Sequence, residues 1–346
     1  MITIYSKVIS IIQTILYEQQ YSHNAIQRYL KKQLKARQVS FKQLAKSYSS
    51  SIVLGRAIID KKSYFLKIYS INNSRANLDQ IFNEYTNTYQ IHQSFQLNIP
   101  KLIYCMPYGK HCVCLLYEWI DGENLWSLHP LQKTKLYSFT YDIGCHYQSM
   151  FVSTPPLLRP KSDAFSYLQD GLTQSISKIQ TAREQFPQAY DKYLTKKEEK
   201  QLFDLAASLL TSFDNEPMGY IHGDLTGNNI MVTKHNQLYM VDLESFRVDF
   251  FVMNFIWIVT YLFNSQPIGP FYKGLLDGFY AYKVPDSFFR ELVFLYLFRS
   301  FHHLGSLKDE NQIQIYLQNF KTILTKYHLL DISLDKTLFI LRQQFQ

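Results

Sequence analysis

Two short stretches carry the residues able to do chemistry. The apolar run GYIHGDLTGNNIMV, Gly219–Val232, is interrupted by His222, Asp224, Asn228 and Asn229, and LYMVDLESF, Leu238–Phe246, brings in Asp242 and Glu244. Asp224 and Asn229 stand five residues apart in a glycine-containing loop. A carboxylate and an amide held side by side, facing a second carboxylate from a hairpin, supply oxygen ligands for Mg2+ and leave one acceptor for a hydroxyl proton. That set suits phosphoryl transfer, where the protein positions the reactants and neutralises charge on phosphate oxygens.

These residues need elements to hold them. NIMVT and LYMVDL read as two short strands around the turn KHNQ. Upstream, SSSIVLGRAII and SYFLKIYS are β-branched and aromatic runs joined by DKK, a hairpin, followed by the helical pattern LDQIFNEYTNTYQIHQSF and by the strands IPKLIYC and HCVCLLYEWI. Lys67, between Leu66 and Ile68, points to one strand face, and a buried ammonium needs a partner or a phosphate. Before the strands, Ile4, Tyr5, Val8, Ile11, Ile12, Ile15 and Leu16 form a helical stripe, and SHNAIQRYLKKQLKARQ begins at a Ser/Asn cap. After DGENL the pattern is mostly helical, through TKLYSFTYDIGCHYQSMF and DKYLTKKEEKQLFDLAASLL, and it is helical again from Phe250 onward. The order predicts a basic helical extension over 1–46, a strand-rich lobe over 47–118 and a larger, mainly helical lobe over 119–346.

His222-Gly223-Asp224 with Asn229, followed by Val241-Asp242-Leu243-Glu244, resembles the catalytic loop and metal-binding strand end of the aminoglycoside phosphotransferase and choline kinase-like family. The resemblance spans roughly 49–257. It implies an α+β, bilobal protein kinase-like fold with a small antiparallel-sheet N-lobe and a helical C-lobe. It also implies ATP and Mg2+ as cofactors. Asp224 becomes the base or hydroxyl-orienting carboxylate, Asn229 and Asp242 the Mg2+ ligands, and His222 a buried brace of the loop, while Asn228 is a turn residue. Lys67 would meet the nucleotide phosphates with Glu84 as its partner on the next helix. The backbone groups of Glu118 and Ile120, in LLYEWIDGENL, would bond adenine. Ser49, Ser50 and Ser51 stand where related kinases carry glycines over the phosphates. After Asp242 the chain departs from the family pattern, with Asp249 and Asn254 in RVDFFVMNFIWI.

Composition sets further bounds. Hydrophobic residues make up 47% and charged residues 18% of 346, a packed globular chain rather than a disordered one. Cys105, Cys112, Cys114 and Cys145 are too few for a disulfide scaffold and lack metal-site spacing, so reduced, packed thiols are expected. No apolar run reaches the roughly twenty residues needed to span a bilayer, and no signal peptide is read, so the expected location is cytoplasmic. Of the net charge of +8, residues 1–46 hold eight basic residues against Glu18 alone. That run reads first as a solvated helix face and second as a peripheral contact with an acidic surface; no nucleic-acid partner is expected. From Phe255 onward nine basic residues face seven acidic ones, the wrong sign for a polycationic drug. The expected substrate is a hydroxyl-bearing small molecule, neutral or anionic, such as a sugar or sugar-containing metabolite. Two other readings stand beside it: an atypical Ser/Thr protein kinase, although Glu244 stands where protein kinases carry Gly, and a nucleotide-binding kinase-like scaffold recruited through its basic N-terminus.

Overall fold

A computed structural model describes residues 22–46, 52–70, 81–88, 91, 98–109, 112–128, 135–153, 161–216, 218–255, 268–281, 283–305, 307 and 309–326. The chain forms two units. A sheet unit takes residues 1–123 and 231–245, and a helical unit takes 124–230 and 246–346.

In the sheet unit, α1 (His23–Gln33) starts where the Ser22 side chain accepts the Ala25 N–H, and its last turn carries Lys31 and Lys32, which suit the negative end of the helix dipole. Five strands follow: β1 (Val39–Lys46), β2 (Ile52–Ile59), β3 (Lys62–Ser70), β4 (Leu102–Pro107) and β5 (Cys112–Glu118). Each paired neighbour runs antiparallel in the order β1-β2-β3-β5-β4. The β2–β3 turn puts both Asp60 (φ 45°) and Lys61 (φ 71°) in the left-handed region, the geometry that matches strand twist in a two-residue hairpin. Asp60 suits the turn without being glycine, because its Oδ1 accepts the N–H groups of Arg37 and Gln38 at 2.9 Å each.

Alternation sorts the strands into two faces. Leu66, Ile68, Cys114 and Leu116 join Ile26 and Leu30 of α1 and Phe41 in one apolar cluster. Tyr69, Leu115 and Tyr117 join Ile81 on the other face, the face that also carries Lys67. Residues 81–88 are helical. A second, three-stranded sheet in the order β6-β8-β9 brings in Gly122–Asn124, Ile230–Thr233 and Leu238–Met240. Gly122 is needed there, since a Cβ would stand 2.5 Å from the Val232 carbonyl oxygen.

Two boundaries differ from the sequence expectation. The basic segment is not helical to residue 46: Val39–Lys46 is β1, paired along its length with β2. High lysine content suggested a helix face, but Val39 and Phe41 alternate inward and cross-strand pairing decides the conformation. The helical stripe of residues 4–16 lies outside the described residues. The hairpin β8–β9 also belongs with the sheet unit rather than with a single lobe over 119–346. Its tie is the Met240 N–H donating to the Asn98 carbonyl at 2.9 Å, together with the Asp242 contacts described below.

The helical unit contains α2 (Leu136–Ser153), α3 (Lys161–Gln185), α4 (Pro187–Tyr193), α5 (Lys196–Leu210), α6 (Ile268–Tyr280), α7 (Asp286–Leu304) and α8 (Glu310–Lys326). A short antiparallel pair, β7 (Met218–Ile221) with β10 (Arg247–Phe250), completes it. Helix α5 begins at a capping box of Thr195 and Glu198. Helix α7 is apolar nearly all round, with Phe288, Leu292, Val293, Phe294, Leu295 and Leu297 buried, which marks it as the core helix. Helices α2 and α6 touch backbone to backbone: a Cβ at Gly278 would stand 2.1 Å from the Tyr141 carbonyl oxygen. Among the described residues no helix is long and apolar enough to cross a membrane.

Candidate active site

The sheet unit gathers one ammonium and three carboxylates. Lys67, only 5% exposed, projects from β3 to Glu84 Oε2 at 2.9 Å, Asp242 Oδ1 at 2.7 Å and Glu244 Oε2 at 3.6 Å. Burial pushes the Lys67 ammonium down, but the negative charges of Glu84, Asp242 and Glu244 outweigh it and hold the group well above its ordinary value. Lys67 is therefore charged at every physiological pH. Burial likewise raises Glu244, with Lys67 pulling it back and Asp242 and Glu84 pushing it further up.

Local structure explains how the carboxylates reach the lysine. Asp242 follows β9 with φ 64°, a left-handed conformation that costs a non-glycine residue about 1–2 kcal/mol. The turn it creates aims Asp242 at Lys67 and lets the 3-10 turn Leu243–Ser245 present Glu244. Asn87, one helical turn beyond Glu84, donates to the Leu243 carbonyl at 2.9 Å and ties the 81–88 helix to that turn. Glu84 itself is buried and accepts hydrogen bonds from Tyr117 at 2.8 Å and from Tyr69. Carboxylate oxygens of Glu84, Asp242 and Glu244 all lie within 4.8 Å of one another.

The helical unit builds its part from a loop. Gly223, φ 76°, turns the chain between His222 and Asp224. His222 is fully buried and its N–H donates to Asn254 Oδ1 at 3.1 Å. Asn229 Nδ2 donates to the Asp224 carbonyl at 2.8 Å and to Asp224 Oδ2 at 2.9 Å, so one amide fixes both the main chain and the carboxylate of Asp224. Asn228, by contrast, is exposed. Gly227 lies against the Trp126 ring, where a Cβ would stand 2.4 Å away, so the loop floor has room for glycine alone.

The remaining expected residues divide. Ser49, Ser50 and Ser51 lie outside the described residues. The Glu118 N–H donates to the Lys101 carbonyl, and the Glu118 carboxylate accepts the Lys101 N–H, both at 2.9 Å. The Ile120 carbonyl accepts from Gly122 at 3.1 Å, and among the described residues the Ile120 N–H is not hydrogen-bonded. Asp242 stands in the sheet unit and Asn229 in the helical unit. Sequence reasoning missed four contributors. Tyr69 and Tyr117 were detectable, because alternation puts them on the Lys67 face. Asn254 and Trp126 carried no local signal, since each acts on a loop far away in sequence.

A packed lysine with three carboxylates in the one unit, and in the other a loop that presents an amide-braced aspartate, are the features expected of a phosphotransferase on an α+β frame. The model of the phosphotransferase enzyme family matches residues 41–287, and the chain belongs to that family. Similar solved structures include aminoglycoside phosphotransferase APH(4)-Ia, in a thermostable mutant complexed with AMP-PNP and hygromycin B. That structure has a TM-score of 0.58 at 10% identity, over 88% of this chain and 99% of that one. The same enzyme's apo form scores 0.55 at 10% identity, over 92% and 98%. A GDP complex of an aminoglycoside 2'-phosphotransferase-IIIa mutant scores 0.56 at 11% identity, over 89% and 100%. The fold is thus the bilobal, protein kinase-like one expected. A search of characterised proteins by sequence finds no match.

Proposed function

We propose that the protein is an ATP- and Mg2+-dependent phosphotransferase that moves the γ-phosphoryl group onto a hydroxyl of a small molecule. The observation that carries this reading is the pair of bonds from Asn229 to Asp224, which sets a carboxylate in advance for an acceptor hydroxyl. Asp224 orients that hydroxyl and receives its proton. Lys67, kept charged and held by Glu84, addresses the phosphate oxygens. The Ile120 N–H, which meets no acceptor among the described residues, is available to adenine.

The donor set suits Mg2+. Asp242 offers carboxylate oxygens near those of Glu84 and Glu244, and Asn229, donating through Nδ2, keeps its Oδ1 for a cation. The family resemblance assigns Asp242 in the one unit and Asn229 in the other as the ligands, and the ion when bound would supply neutralisation of phosphate charge. For the acceptor, the surplus of two basic residues from Phe255 onward supports a neutral or anionic molecule, a sugar or sugar-containing metabolite, over a polycationic aminoglycoside.

The test is a hydroxyl-compound panel with labelled ATP, run on the natural chain and on Asp224→Asn. Turnover of at least one neutral or anionic acceptor is expected, reduced about 100- to 10,000-fold by Asp224→Asn while ATP binding persists. Equal phosphate transfer by both proteins removes Asp224 from the chemistry, and activity on kanamycin-type cations alone removes the substrate class.

A further inference from the structure

The three carboxylates around Lys67 are not equivalent. Side-chain exposure is 5% for Glu84, 38% for Asp242 and 26% for Glu244. The Lys67 ammonium donates to Asp242 Oδ1 at 2.7 Å, and carboxylate oxygens of Glu84 at 2.9 Å and Glu244 at 3.6 Å stand beside it as charge partners. When a phosphate arrives, the ammonium can turn from Asp242 while the Glu84 carboxylate at 2.9 Å keeps it anchored. Glu84 is the partner built to stay. Its Oε1 accepts from the Tyr117 hydroxyl at 2.8 Å and its Oε2 from the Tyr69 hydroxyl, whose contact with Glu84 is closer than its 3.1 Å reach to Glu244 Oε2, so both Glu84 oxygens are held before Lys67 is counted. The strands dictate this: Tyr69 lies two residues beyond Lys67 on β3, and Tyr117 pairs with Phe65, two residues before it. Burial first, and the Glu84 charge second, push both phenols above their ordinary value, so each remains a donor.

We propose that Tyr69 and Tyr117 are positioning residues that fix Glu84 as the permanent partner of Lys67, while the ammonium turns a donor from Asp242 to the phosphates of the nucleotide. The inference rests on the phosphotransferase reading. It assigns to two strand phenols a task that the Lys–Glu pair alone would otherwise carry, and it predicts an effect that depends on phosphate.

Calorimetric titration of the full chain with adenosine, ADP and ATP tests it, using Tyr69→Phe and Tyr117→Phe, which keep the ring and lose only the hydroxyl. Each variant is expected to weaken ADP and ATP about three- to thirty-fold and to leave adenosine within twofold, because only phosphate is reached through Lys67. In a Glu84→Gln background the same Tyr117→Phe change is expected to add less than about twofold, since the two act as one unit. A purely structural phenol would lower the melting temperature and spare the ADP-to-adenosine ratio. If a tyrosine variant loses its cooperative melting transition, Glu84→Asp reads the same ratio by drawing the carboxylate away from both hydroxyls at constant charge. An unchanged ratio in the variants, beside a natural protein that prefers ADP to adenosine, overturns the positioning role alone. A natural protein that binds neither ADP nor ATP overturns the phosphotransferase reading and this inference with it, and one that binds ADP no better than adenosine removes Lys67 from the phosphates and the inference likewise.

Discussion

The sheet unit holds its candidate site residues by charge around one strand lysine, whereas the helical unit holds its candidate site residues by amide and backbone contacts within a loop. Lys67, Glu84, Asp242 and Glu244 form an ionic cluster in the first, buried at Lys67 and Glu84 and open to solvent at Asp242 and Glu244. In the second, Asp224 is set by Asn229, His222 by Asn254, and the loop floor by Gly227 under Trp126. The difference separates two design problems. A buried ammonium is tolerated only with partners, so the strand unit is sensitive to any change of charge. A loop needs its backbone groups satisfied and its close approaches kept, so the helical unit is sensitive to volume.

If charge holds the sheet unit, removing the ammonium should damage the protein most. Lys67→Met keeps the volume of the side chain and leaves three carboxylates facing one another; a loss of about 3–5 kcal/mol in urea unfolding is expected. A loss below about 1 kcal/mol would mean that charge does not hold the sheet unit. Next, Gly278→Ala puts a methyl group against the Tyr141 carbonyl between α2 and α6, and should cost about 1–3 kcal/mol. Hydrogen exchange read by segment should place that loss in α2 and α6, with β2, β3 and β5 unaltered.

The smallest effect is a contrast in sign on acidification. In the helical unit His302 is lowered by burial and by Lys178 and Arg299, and His303 by burial and Arg299. As pH falls below their ordinary 6.5, the unfolded chain takes up protons that the folded chain refuses, and the helical unit weakens. Glu244 is shifted the other way: its contribution is complete below the ordinary 4.5 and fades as pH rises through the raised value, so acidification favours the sheet unit. Exchange rates corrected for intrinsic pH dependence, followed from about pH 7.5 down to about pH 4.5, should slow around β3 and quicken slightly in α7. Movement in the same direction in both would erase the contrast.

This contrast also explains what the sequence made legible. Strand alternation is a local code, so the face shared by Lys67, Tyr69 and Tyr117 follows from counting by two, and the hairpin at Asp60-Lys61 was visible as a break between β-branched runs. The H-x-D and D-x-E spacings located Asp224, Asn229 and Asp242, because a loop that presents a carboxylate and an amide requires those residue types close together. The loop's supports were not legible. Asn254 follows the point where the family pattern is lost, and Trp126 lies a hundred residues before the loop, so neither shares a period with the residue it supports. The edge of the sheet was misread for a related reason. Val39–Lys46 carries lysines at a density that imitates a solvated helix, and only its pairing with β2 reveals a strand.

That strand has a consequence for how copies of the protein meet. β1 lies at one end of the sheet, and among the described residues no strand pairs with its outer row of backbone groups. Lys42 is exposed on it, and the exposed Lys31, Lys32 and Lys35 precede it. A second molecule adding its own β1 there would bring cation against cation. Lysines placed for solvation along α1 and β1 would thus oppose edge-to-edge pairing of two copies.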